Sequence, residues 1–226
     1  ALGGQTIEGN VVLTDDIDMD GVDMTPIAKL TGTFDGAGYT IENLTLTGGQ
    51  GSYGAFVNTG LIGELDGAVI NLKVTNLSLT GVKNFSYAGG LVGMVTAASE
   101  SKIDNCIVSG SGDASGASSQ MYLGGLVGYV SGSVDNPTKL AIRNCVSDMA
   151  LTAGRGCYVG GLLGTAQYYV ELTVENDAIV GSMRGSNHTG GGLVGYISSN
   201  ATDLTIRNTI LAGTVTGTKK FGVAYN

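Results

Sequence analysis

Tryptophan is absent, and the chain has only two prolines, one histidine and three cysteines among its 226 residues. A single histidine, His188 in a glycine-rich GSNHTG stretch, leaves no base or nucleophile partner beside it for acid–base or triad chemistry. Cys106, Cys145 and Cys157 are too few to staple the chain and odd in number, so at least one is free or paired elsewhere. Charge is sparse too: 11 Lys and Arg against 19 Asp and Glu give a net charge of −8. That deficit of basic residues argues against nucleic acid as a partner, because phosphate-binding surfaces need clustered Lys and Arg. No apolar run approaches the ~20 residues needed to span a bilayer, so membrane insertion is not expected. The chain opens at Ala1 without a Met or a basic, apolar leader, as it would after removal of a signal peptide.

What the chain does have is glycine, 39 of them, set among Val, Ile, Leu and Thr in a sequence that is 42% hydrophobic. Glycine recurs too often for a helix of twelve residues to propagate, and β-branched residues favour strands. The glycines also mark a repeat. GGLVG stands at 89–93, GGLVG at 124–128, GGLLG at 160–164 and GGLVG at 191–195, spaced by 35, 36 and 31 residues. Between these lies a second phase, a strand centred on an asparagine: Asn43, Asn71, Asn105, Asn144, Asn176 and Asn208, with gaps of 28, 34, 39, 32 and 32. Two short apolar strands per period cannot each close a core, so one period must bury the next by stacking. The expected fold is therefore all-β, a right-handed parallel β-helix (β-solenoid) of about six to seven coils, on the order of 30 Å long at ~4.8 Å per coil. The expected organisation is one domain over 1–226, with the first coils in 1–47 and the GGLVG-type repeats in 48–226.

Within this scheme each asparagine is expected to sit over its counterpart at a bend, where side-chain amides can bond one another. The GG pairs would permit either positive φ or close backbone approach. Insertions such as GSGDASGASSQ (110–120) and SGSVDNPTK (131–139) fall between the phases, where loops would protrude. Cys106 and Cys145 follow asparagines in equivalent positions, which suits buried core side chains better than a disulfide or a metal site.

Three groups of residues are candidate sites. Asp16, Asp18 and Asp20, followed by Gly21, resemble the start of a calcium loop, although the twelfth position is Ile27 rather than a bidentate Glu. The same alternation fits a half-buried first strand with Ile17 and Met19 facing the other way. Tyr87, Tyr122 and Tyr158 each precede a GG pair by two residues, and a stacked row of rings could bind glycan faces or stabilise the solenoid by ring packing; Thr189 stops the row. Lys73, Lys102, Arg143 and Arg207 lie on or beside strands, Arg143 and Arg207 in the same repeat position, as a stacked surface row would. Asn-x-Ser/Thr triplets at Asn43, Asn76, Asn84, Asn187 and Asn200 would matter only in a eukaryotic secretory host. Thr-rich patches such as TVTGT suggest an ice-binding array, but the loops interrupt it.

The run LTDDIDM, then TPI, then LTGTFDGAGYTIENL, followed by four GGLVG-type segments, resembles the GLUG-motif repeat proteins over nearly the whole chain. That resemblance implies a bacterial, extracellular or cell-surface setting, similar to adhesin-like proteins and to the non-catalytic region of some immunoglobulin A peptidases. The 16–20 segment would then be simply the first coil. The HExxH helix of those peptidases is missing here, so their proteolysis does not carry over. The resulting expectation is a structural or adhesive rod and not an enzyme, without cofactor unless calcium binds. Its partners would be further copies joined end to end, or a surface glycan or host protein. A glycan-binding module is the alternative, and a polysaccharide-degrading β-helix, with carboxylates holding calcium beside a Lys or Arg base, is a more distant one.

Overall fold

In the computed structural model, residues 2–96, 100–185, 189–198, 202–217 and 219–225 are described; His188, Asn187 and Asn200 lie outside them. Among the described residues there is no helix, and 31 short strands fall into four sheets. We term the sheets faces 1 to 4, visited in that order along the chain. Face 1 runs through Ile27–Leu30, Ile62–Leu65, Val92–Val95, Val127–Ser131, Leu163–Gln167 and Val194–Ile197, and face 2 through Thr33–Asp35, Ala68–Ile70, Glu100–Asp104, Thr138–Arg143, Val170–Glu175 and Thr202–Arg207. Face 3 has Lys73–Thr80, Ile107–Ala114 and Val146–Ala153 at its centre, and face 4 has Val57–Thr59, Ser86–Gly89, Met121–Gly124 and Cys157–Gly160. Each strand pairs in parallel with the strand one coil before and one coil after, for example Val69 with Phe34 and Ile103. This is the expected β-solenoid.

The period holds four strands, where the sequence pattern suggested two. The GGLVG and asparagine motifs are not strands but the corners that join them. In GGLVG the first glycine closes a face 4 strand and the Val opens a face 1 strand, as at Gly124 and Val127. Coil count shifts accordingly. Five coils carry all four faces, spanning 57–80, 86–114, 121–153, 157–185 and 189–215. Two coils without a face 4 strand precede them, at 6–18 and 27–47, and two strands of a further coil follow at 219–225.

Corner chemistry explains both motifs. At the face 2 to face 3 bend the backbone turns left-handed, with φ of 51° at Asn71, 55° at Asn105, 56° at Asn144, 59° at Asn176 and 49° at Asn208. Asparagine tolerates that region better than other side-chain-bearing residues, and here its amide is bonded to the next rung. Asn105 Nδ2 donates to Asn71 Oδ1 at 2.9 Å, and Asn176 and Asn208 donate to Asn144 and Asn176 in turn, each at 3.2 Å. The ladder breaks once, where Asn144 Nδ2 donates to Asp104 Oδ1 at 2.8 Å instead. Asn43 is not a member: it pairs with Asn76, which donates to it, while Asn71 donates to Asp35 Oδ1 at 3.0 Å. The early coil has two left-handed non-glycine residues, Ala37 and Asn43, so the 28-residue gap joined corners of different kinds.

The GG pairs serve close approach, since none of the eight glycines in the four pairs has positive φ. A Cβ on Gly124 would run into the carbonyl oxygen of Val127 and lie 2.7 Å from Gly164 N in the next coil. Face 4 and face 1 backbones thus touch at this corner. The stretch 110–114 is strand rather than loop, because Gly110 to Ala114 pair in register with Met149 to Ala153; residues 115–120 and 132–137 are the irregular parts of the two insertions.

One continuous core fills the interior. It is a set of columns, such as Ile62, Val92, Val127, Leu163 and Val194 on face 1, and Val69, Ile103, Ile142 and Val174 on face 2. Each fully buried aliphatic side chain contributes about 1.5–3 kcal/mol, and its neighbours above and below supply most of the apolar contact.

Candidate functional site

Tyr87, Tyr122 and Tyr158 occupy one register on face 4, with Thr189 next in line. Their flanking residues Ser86, Ala88, Met121, Leu123, Cys157 and Val159 point inward and are buried, so the rings project outward and remain half-buried. They do not stand as a free row. Because faces 4 and 1 touch at the glycine corner, outward side chains of face 1 reach the same cleft. Tyr87 stacks on Tyr129 at 4.1 Å and on Phe56 at 4.5 Å, Tyr122 stacks on Tyr158 at 5.6 Å, and Tyr158 meets Tyr196 at 4.8 Å. Tyr129 is 8% exposed and its hydroxyl donates to Gln167 Oε1 at 3.2 Å. Burial raises the Tyr122 hydroxyl to about 12, with the neighbouring phenols adding to the shift. Phe56, Tyr129 and Tyr196 were missed in the sequence, although Tyr129 and Tyr196 both follow directly after GGLVG. The cluster is chemically a ring stack with exposed edges.

The acidic segment lies at the open first coil. Asp16 Oδ1 accepts the Thr40 N–H at 2.7 Å, and Asp18 Oδ1 accepts from Asn43 Nδ2 at 2.8 Å and from the Asp20 N–H at 3.0 Å. Asp16, Asp18 and Asp20 are all exposed, and Ile17 and Met19 face the core mouth. Among the described residues no group of three or more His, Cys, Asp or Glu is placed to hold a metal ion.

Face 2 carries alternating charge. Arg143 and Arg207 are not adjacent rungs: Glu175 stands between them, and Asp104 precedes Arg143 in the same register. Arg143 and Glu175 approach to 3.6 Å, and a parallel pair, Lys139 and Glu171, to 2.8 Å. Such exposed pairs add little to stability, because solvent and salt screen them. Lys102 pairs with Asp104 at 3.1 Å.

The cysteines are free and buried. Cys106 and Cys145 follow the corner asparagine and point into the core, in a column with Leu72 before and Asp177 after. Asp177 is 2% exposed; its Oδ1 accepts the Cys145 N–H at 2.7 Å, while its Oδ2 has no hydrogen-bond partner. Burial pushes its carboxyl up to about 7, against backbone hydrogen bonds that pull the other way.

The two ends of the rod differ from its middle. At the first coil Val11, Leu13, Ile17, Met19, Met24 and Phe34 line an apolar mouth of about 490 Å³. At the last full coil Ile206 and Leu211, which continue the core columns of Val174 and Ile179, are 37% and 38% exposed. Charge differs in sign as well. Residues 1–24 hold Glu8, Asp15, Asp16, Asp18, Asp20 and Asp23 without a Lys or Arg, whereas residues 202–226 hold Arg207, Lys219 and Lys220 against Asp203 alone.

No family model matches the chain, and no curated protein matches it significantly. Among solved structures, the crystal structure of a candidate immunoglobulin A1 protease from Bacteroides ovatus is similar, with a TM-score of 0.70 at 19% identity. The superposition covers 96% of this chain and 65% of that one, so the chain spans less than two thirds of that protein's length. At this identity the likeness establishes a shared β-solenoid fold.

Proposed function

We propose that the chain is a structural module, a rigid β-solenoid rod carried outside a bacterial cell, that joins further copies end to end. The carrying observation is the pair of outermost described coils: each exposes core side chains and, among the described residues, unpaired strand edges, and the two sequence segments that form them have opposite net charge. A head-to-tail contact between different surfaces does not close on itself, so it extends into a filament. The external setting draws on the resemblance to GLUG-motif repeat proteins and on the fold shared with a protein named as a candidate immunoglobulin A1 protease. A scaffold rather than an enzyme also fits how the acids are used, since Asp16, Asp18, Asp35 and Asp104 all accept hydrogen bonds from neighbouring coils.

Sedimentation velocity across a concentration series, with negative-stain microscopy of the same samples, tests this reading. Low salt is expected to give growing rods and filaments, and 1 M salt, where the Debye length is about 3 Å, to shorten them. A monodisperse monomer at every concentration and salt would overturn it.

A second reading, an adhesive module for glycans, is favoured by one observation: Tyr87, Tyr122 and Tyr158 project outward, half-buried, in one register of face 4. It expects saturable sugar binding on a glycan array that Tyr122→Ala abolishes.

A further inference from the structure

Cys106 and Cys145 hold the same corner position in successive coils, each just before the in-register pair Ile107 and Val146. In-register residues of neighbouring parallel strands lie about 4.8 Å apart, inside the ~4.4–6.8 Å separation that a disulfide requires. Both side chains turn into the core with 0% exposure, and the two thiols make equivalent hydrogen bonds, Cys106 Sγ donating to Asp104 O at 3.4 Å and Cys145 Sγ to Arg143 O at 3.0 Å. Cys157 is placed elsewhere: it lies on face 4, in register with Met121, and its thiol donates to Arg155 O. Two thiols aligned in this way, one coil apart, are arranged as a bond between coils.

We propose that Cys106 and Cys145 form an inter-coil disulfide when the chain folds in the presence of a disulfide oxidant. One cysteine thiolate attacks the oxidant's S–S bond, which breaks to release the first thiolate and leaves a mixed disulfide on the protein. The second cysteine gives up its proton and attacks the protein sulfur of that mixed disulfide, and the remaining oxidant half leaves as the second thiol. Two cysteine thiols lose two electrons in total, and one oxidant disulfide becomes two thiols. Since both sulfurs are buried, exchange takes place while the coils are closing. The product links coil 86–114 to coil 121–153 from inside, at the centre of the rod. An oxidising compartment is the one point at which the proposal rests on the placement outside the cell.

The test is refolding of the full chain in oxidised and in reduced glutathione, followed by denaturation, alkylation and mass spectrometry. After oxidised refolding the wild type is expected to take one alkyl group, on Cys157, and to give a linked peptide joining Cys106 to Cys145. Cys157→Ser is expected to take none, and Cys106→Ser and Cys145→Ser two each. Three alkyl groups on the wild type, or any intrachain pair that includes Cys157, would overturn the proposal. The reduced chain is expected to form end-to-end rods all the same, so failure here is distinguishable from failure of the assembly reading.

Discussion

The face 2 strands Val170–Glu175 and Thr202–Arg207 are paired residue for residue, yet only the first is buried. Leu172 and Val174 are 1% and 0% exposed, while their partners Leu204 and Ile206 are half-buried and 37% exposed. On face 3 the same step takes Ile179 from 1% to 38% at Leu211. The side chains are alike, so the difference comes from the coil that follows. Burial in this molecule is conferred by the next coil along the axis and not by a common centre. Stability is accordingly a sum of coil-to-coil interfaces, and an end is a place where one interface is missing.

The sharpest contrast between middle and end is at glycine. Gly124→Ala forces a Cβ into the Val127 carbonyl and the next coil, and is expected to cost more than about 4 kcal/mol or prevent folding. Gly9→Ala, in the first coil, meets nothing within 4 Å and should stay within about 0.5 kcal/mol in urea titrations. Next in size is Leu172→Ala, at about 2–5 kcal/mol by the same measurement. The equivalent Leu204→Ala is expected to cost about 1 kcal/mol in dilute protein. Equal losses at the two sites would break the comparison.

Asp177 sharpens it through pH. Its partner one coil on is Thr209, so only the inner rung carries a carboxyl. The folded carboxyl sits at about 7 and the unfolded one near 3.8. Between those values the unfolded chain has lost the proton and the folded chain retains it. The contribution of Asp177 is therefore full below about pH 4 and falls as pH rises to 7, by up to roughly 4 kcal/mol. Thermal melts from pH 4 to pH 8 should show this slope, and Asp177→Asn should flatten it. The asparagine corner gives a more modest effect than Asp177: Asn176→Ala is expected to cost about 1–2 kcal/mol, and Asn176→Gly, which keeps the left-handed turn, measurably less.

Much of this architecture was legible in the chain because coil repetition writes itself as sequence repetition. GGLVG and the corner asparagines recur because two of the corners in successive coils are built from the same residues. Four faces were hidden for the same reason: a motif that straddles a corner reads as one strand, as Gly124 to Val127 shows. The alternating charge on face 2 was hidden because the Asn176 repeat replaces Arg by Glu175, so only the two arginines matched. The aromatic cleft was half visible. Tyr87, Tyr122 and Tyr158 share a spacing, but their contact with Tyr129 depends on two faces touching through glycine, which no linear pattern states. Asp177 shows only as an Asp where earlier repeats have Cys, and its burial follows from the coil stacked on it.

The most direct test of burial handed from coil to coil is hydrogen–deuterium exchange resolved along the chain at two protein concentrations. At low concentration the amides of 73–80, 107–114 and 146–153 are expected to be protected for hours, and those of 6–18 and 210–215 to exchange within minutes. At high concentration the two end segments should gain protection together while the middle is unchanged. Uniform protection along the rod, or ends whose exchange ignores concentration, would contradict the account.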